Sequence, residues 1–230
     1  MANGFRRVVN ENAGIQPALR ELLATASTQY YDGDLIIMTE GKATRAGAQT
    51  DKPVGVLNAM STPVSLVRPA TRLLSTTLGE KIQYMPCDGN GEIFQTDLTG
   101  DDAPPINGTA CNANTDATLV KVTAAGSTGD YDGGQIYCNG EQRTIVDDTV
   151  GGGVHTFTVV PAFTRAITTN DTAKVVPWSR GINVVKLSAS SGQTARGISP
   201  AVADKTGGYA RIEDVDLKNL TVNVSFPNKV

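Results

Sequence analysis

The sequence predicts a mainly β protein: two small β-sandwich or barrel domains in tandem, preceded by an N-terminal arm that contains one short helix. Three observations carry this expectation. The phrase STQYYDG at Ser27 to Gly33 returns as STGDYDG at Ser127 to Gly133, with five of seven positions identical, and each copy opens a short β-type run. Either an internal duplication or two similar β starts produces such a match. Short runs rich in Val, Ile and Thr recur along the chain, set off by Gly, Pro and Asn at the spacing of sandwiches and barrels. Finally, 230 residues suffice for one large β domain or two of roughly 100 residues, and the sequence favours two.

Residues 1–28 read as the arm. Within it Gln16 to Leu23 places Pro17 near a helix start and Leu19, Leu22 and Leu23 at helical spacing, so a short helix is expected there. Residues 29–100 read as the first β domain. Asp32-Gly33 and Glu40-Gly41-Lys42 are turns around a buried-type strand, Leu35 to Met38, which together predict a hairpin. Further strands are expected at Pro53 to Leu57, Pro63 to Val67, Leu73 to Thr77 and Lys81 to Met85.

The stretch Asp97 to Asp116 has adjacent prolines, several Asn and Gly and little apolar content, so residues 101–116 read as a linker. Residues 117–230 read as the second β domain. Its expected strands are Thr118 to Val122, Gly134 to Cys138, Arg143 to Val146, His155 to Val160 and Lys174 to Trp178. Ser188 to Gly208 reads as a long loop or second arm. In Leu217 to Phe226, strict alternation of Leu220, Val222, Val224 and Phe226 with polar residues predicts a strand with one wet face.

Composition bounds function. With 20 Lys+Arg against 23 Asp+Glu and a net charge of -3, no uniformly basic surface is available for a phosphate backbone, so nucleic acid is not an expected partner. No apolar run approaches a membrane span and the first residues lack a secretory apolar core, so a soluble chain made in the cytoplasm is expected. Cys87, Cys111 and Cys138 are odd in number and widely spaced, which predicts free thiols.

No catalytic constellation is legible. His155 is the only histidine, and beside the turn-forming Gly151-Gly152-Gly153 it reads as a structural surface residue. Asp88 to Ile93 with Asp97 imitates part of a calcium loop, but Pro86 occupies the position of the first carboxylate and the flanks read as strands. Asp130 with Asp132, and Asp147 with Asp148, read as turn acids. Trp178, the sole tryptophan, reads as core. Neither a cofactor, a metal nor an enzymatic activity is expected.

The phrases Asp32-Gly33-Asp34-Leu35-Ile36, Gly41-Lys42-Ala43 and Pro53-Val54-Gly55-Val56 resemble those of the capsid decoration, or cement, proteins of tailed bacteriophages. Leu78 to Tyr84 looks like the closing strand of such a domain, and Gly134 to Gly140 with Arg143 to Ile145 looks like the second β module of longer members. The resemblance implies a non-enzymatic virion protein on the capsid exterior, bridging major capsid subunits and stabilising the expanded head. It implies a capsid-facing first domain, an outward-facing second one and self-association, with a trimer favoured.

An arm can add a strand to a neighbour's sheet edge. Phe5, Val8 and Val9 as apolar anchors, with Arg6 and Arg7 as charge contacts, are therefore the expected capsid-binding residues. A carbohydrate- or receptor-binding β module of a phage fibre or surface protein is the alternative, in keeping with the low charge and the exposed Asn, Thr and Tyr.

Overall fold

A computed structural model describes residues 5–8, 19–25, 29–58, 73–75, 81–87, 92–98, 103–181, 186–188 and 197–227. The first part of the chain supplies β1 (Arg6–Val8), β2 (Arg20–Ala24), β3 (Gln29–Tyr31), β4 (Leu35–Thr39), β5 (Lys42–Arg45), β6 (Gly55–Leu57), β7 (Leu73–Ser75), β8 (Lys81–Pro86) and β9 (Ile93–Asp97). Five of these close a barrel in the order β2-β5-β4-β6-β8, and β3 pairs separately with β7. The interior holds Ala24, Ile36, Ala43, Leu57, Ile82 and Tyr84 around Tyr30, whose hydroxyl donates to the Ala43 carbonyl at 2.7 Å. Such a partner is what a buried phenol needs.

The second part supplies β10 (Ile106–Asn112), β11 (Leu119–Thr123), β12 (Gln135–Cys138), β13 (Glu141–Gly151), β14 (Val154–Val160), β15 (Thr172–Val176), the short pair β16 (Leu187–Ser188) and β17 (Gly197–Ile198), then β18 (Arg211–Asp216) and β19 (Thr221–Ser225). Strands β10 to β15 close a second barrel in the order β10-β11-β14-β13-β12-β15. Alternation drives this packing: along β14, His155, Phe157 and Val159 point inward while Thr156, Thr158 and Val160 do not. Closure leaves neither barrel with the unpaired ladder of an open sheet.

A third core lies outside both barrels. Strands β1, β9, β19 and β18 form an antiparallel sheet in that order, so one sheet gathers segments from near both ends of the described chain. Phe94 on β9 and Val222 and Val224 on β19 point into this core, where Phe5 meets Phe226 edge-on at 5.8 Å. On β18 the inward residues Ile212 and Val215 are three apart, because a bulge between Ile212 and Asp214 resets the alternation. The same cluster takes Leu35 and Val56 from the outer surface of the first barrel, together with Val176 and Trp178 from the end of the second.

Polar contacts reinforce the arrangement. Asp204 accepts from Gln49 at 2.8 Å and Ser199 at 2.7 Å, and pairs with Lys186 at 3.1 Å, which ties the loop after β5 to the segment around β16 and β17. The Gln142 side chain bonds both ways to the backbone of the central sheet's far end, donating to Val215 at 2.8 Å and accepting from Leu217 at 2.9 Å.

Several sequence expectations change. Arg20–Ala24 is a strand where a helix is expected, antiparallel to β8 and parallel to β5. Leu19, Leu22 and Leu23 do fit a helical stripe, but pairing with two neighbours overrides that local preference and puts Leu22 and Ala24 on the inner face. Residues 16–18 of the expected helix lie outside the described residues, as does Pro63 to Val67. Ile106–Asn112, within the 101–116 segment read as a linker, is a strand of the second barrel, and its Gly108 bulge explains the broken pattern. Ser188 to Gly208, read as a loop or arm, carries β17 and a 3-10 turn at Val202–Asp204. The last strand begins at Thr221, four residues after the predicted Leu217, because Leu217 to Leu220 form a turn.

Phe5→Ala removes the arm's one fully packed ring, and is expected to lower unfolding stability by about 3 kcal/mol or more, measured by urea denaturation. Burial raises the pKa of Asp204, yet its bonds to Ser199, Lys186 and Gln49 win and hold it below the ordinary aspartate value. A carboxylate depressed in this way stabilises the fold above its unfolded pKa and loses that contribution as pH falls. Asp204→Asn should therefore lower stability at pH 7 and flatten the decline in stability below about pH 4.

Candidate functional site: matching turns, buried carboxylates and the arm strand

The two copies of the repeated phrase fold alike. Gly33 has φ 80° and Gly133 has φ 75°, a left-handed conformation that glycine adopts without strain. In both, the residue after the glycine donates back to the tyrosine carbonyl: Asp34 to Tyr31 at 3.0 Å, Gly134 to Tyr131 at 2.9 Å. Each turn then trades a pair of bonds with one strand residue. Gly33 donates to Leu57 and Leu57 to Asp34; Gly133 donates to Ile145 and Ile145 to Gly134.

The following strand ends in each case in a two-residue hairpin turn with both φ angles positive, Glu40-Gly41 at 50° and 75°, Asn139-Gly140 at 52° and 76°. That is the backbone signature of a type I′ turn. The partner strand differs, however: Leu57 lies on β6, whereas Ile145 lies on the hairpin strand β13.

A buried carboxylate anchors each turn. Asp34, fully buried, accepts the Tyr31 N–H at 2.7 Å and pairs with Arg45 at 2.9 Å, while the Arg45 guanidinium sits 5.1 Å from the Tyr31 ring centre. Asp148, also fully buried, accepts the Tyr131 N–H at 3.3 Å and meets His155 Nδ1 at 2.8 Å. His155 stacks on Phe157 at 5.4 Å and faces the edge of Tyr131. Burial first, then the charges of Asp130 and Asp148, push the Tyr131 phenol up to about 12.

A bulge at Val146 aims Asp148 into the barrel, since it shifts the register between Ile145 and Asp147. His155 is thus not the surface residue expected from its glycine-rich neighbourhood. Its phase with Phe157 and Val159 carries the signal in the sequence itself. The outer ring nitrogen, Nε2, is buried without a hydrogen-bond partner among the described residues, and a Cβ on Gly126 would come within 2.6 Å of it. Among the described residues, no three metal-ligating side chains cluster.

The expected arm contacts are divided. Phe5 is 3% exposed, packed between Phe226 and the rest of the central core, and its N–H donates to the Gly33 carbonyl at 2.9 Å. Arg7 pairs with Glu92 at 2.7 Å, with both side chains largely buried. Arg6 reaches Asp97 at 3.5 Å and Gln95 at 3.0 Å but keeps 62% of its side chain exposed. Val8 is half-buried opposite Ile93, and Val9 lies outside the described residues. The arm strand therefore straps the first barrel's turn to the central sheet.

Of the other candidates, Asp130 accepts the Ser127 N–H and Asp147 is exposed, while Asp88 to Gly91 lie outside the described residues. The three cysteines are free and buried, with Cys111 and Cys138 in sulfur contact at 3.7 Å. On the outer face of the first barrel, Leu19 and Leu23 are 39% and 43% exposed, flanked by Glu21 and Lys81. This pair is not among the sequence candidates, since a helical stripe of Leu19, Leu22 and Leu23 reads as one packing face, whereas in the extended chain Leu22 turns inward and Leu19 and Leu23 outward.

Asp34→Ala and Asp148→Ala each leave a base and a turn N–H without their carboxylate, and each should lose about 3 kcal/mol or more, read as a shift in denaturation midpoint. Gly126→Ala should also destabilise, because the new methyl collides with His155 at a φ of 152°. Compared with known protein families, curated proteins and solved structures, the chain matches none.

Proposed function

We propose that this protein is a non-enzymatic virion structural protein that binds the outer surface of a phage capsid, bridging major capsid subunits and stabilising the expanded head. The observation that carries this reading is where the cement-like phrases fall. Asp32 to Ile36 form the first turn and the start of β4, Gly41 to Ala43 complete the hairpin, and Pro53 to Val56 lead into β6. All three phrases, separated in sequence, thus meet in one closed barrel beside the arm strand.

The build is also suited to load. Two closed barrels flank a sheet that binds β1 and β19 to the same central strand, so a pull on either segment is resisted by ladder bonds and a packed core. Shell contact on this reading falls to the exposed Leu19 and Leu23 and to Arg6, the arm residue whose charge remains largely in solvent. Many weak copies on a symmetric shell reinforce one another. Trp178 is fully buried, with its Nε1 donating to the Ser199 carbonyl at 3.1 Å, so it offers no stacking platform for a sugar ring.

Co-sedimentation with undecorated expanded and unexpanded heads tests the proposal. Saturable binding to expanded heads is expected, weakened at least tenfold by the pair Leu19→Asp and Leu23→Asp with the fold intact by circular dichroism. Absence of binding to both head forms by the wild-type chain would sink it. Light scattering of the free protein tests the trimer that belongs to this reading.

A further inference from the structure

The two matching turns differ in what covers them. In the first barrel, the Gly33 carbonyl accepts the Phe5 N–H and the glycine is buried beneath the arm. In the second, Gly133 is exposed, and its carbonyl has no such partner among the described residues. The backbone around it is the same: same left-handed φ, same return bond, same exchange of bonds with a neighbouring strand. One turn is capped by an extended segment and its counterpart, among the described residues, is bare.

The bare turn lies beside an exposed apolar pair. Gly133 donates to the Ile145 carbonyl, so it sits next to Val146, the bulged residue of β13, which is 52% exposed. Val160, 55% exposed, lies opposite Thr144 on the adjoining strand, on the same outward face. Acids surround this patch: Asp132 on the turn and Asp147 after the bulge are exposed, and Asp130 is half-buried. Lys205, the cation that reaches this turn, spends its ammonium on the Asp130 carbonyl at 3.0 Å.

We infer that the Gly133 face of the second barrel is a docking surface for an extended, basic, apolar-tipped segment of a partner polypeptide. The partner's backbone N–H takes the Gly133 carbonyl, its apolar side chain covers Val146 and Val160, and its cationic side chains meet Asp130, Asp132 and Asp147. The chemistry follows that of the arm, whose Phe5 N–H takes the Gly33 carbonyl while Arg6 and Arg7 beyond it meet acids at either end of β9, Asp97 and Glu92. Charge complementarity selects such a segment over an acidic one. The surface belongs to the second barrel and holds whatever the first barrel binds.

The test is an NMR titration of the full isotope-labelled chain with a synthetic peptide copying residues 2–10, and with a version carrying Glu at positions 6 and 7. Saturable shifts are expected at the amides of Gly133, Val146 and Asp147 and the methyls of Val160. Binding should weaken at least tenfold with the acidic peptide, and equally with the intact peptide on Val146→Thr, Val160→Thr protein, whose unperturbed spectrum elsewhere reports a native fold. Shifts confined to Gly33 and β9, the absence of saturable shifts, or binding indifferent to the two valines would each overturn the assignment.

Discussion

Everything in this molecule hinges on the packing of Phe5, Phe94 and Phe226 in the central sheet. Each barrel closes its own ring of strands and fills its own interior, and neither by itself fixes where the other sits. The aromatic cluster is made by three segments remote in sequence, and the surfaces that enclose it come from both barrels, through Leu35 and Val56 on one side and Val176 and Trp178 on the other. Burying such surface is the main favourable term in folding. The polar links at Asp204 and Gln142 then set direction, because hydrogen bonds reward only one orientation of the pieces they join.

The paired turns show how one local solution is reused with different chemistry. Both place a tyrosine N–H on a buried carboxylate, and both must supply that carboxylate with a base. The first barrel uses an arginine, whose guanidinium also lies over the tyrosine ring. The second uses a histidine stacked within an aromatic group. An isolated acid at either place would carry a heavy desolvation cost, so the turn, the acid and the base form a unit.

Much of the first level of this architecture is legible in the sequence. The repeated phrase marks two equivalent β starts, and the Glu40-Gly41 hairpin and the alternation of Thr221 to Ser225 follow directly from their residues. Part of what escapes such a reading traces to bulges. A bulge shifts the alternation by one residue, so from sequence β13 stops short at Val146, Asp148 passes for a turn acid and Ile106–Asn112 merges into a linker. Segment Arg20–Ala24 misleads for another reason, since its spacing of leucines suits a helix and only pairing with distant strands decides otherwise. The joining of the barrels has no signature in the sequence, because nothing in Phe5 names Phe226 as its neighbour.

That neighbour relation orders events during synthesis. Phe5 is synthesised before β9, yet the ring that completes their pocket is at residue 226, after both barrels. Until that ring arrives, the pocket around Phe5 lacks one wall, whereas the second barrel draws all its strands from one consecutive stretch, 106 to 176. The strand that carries the earliest described residues thus has its pocket completed only by a segment that follows the whole second barrel in the chain.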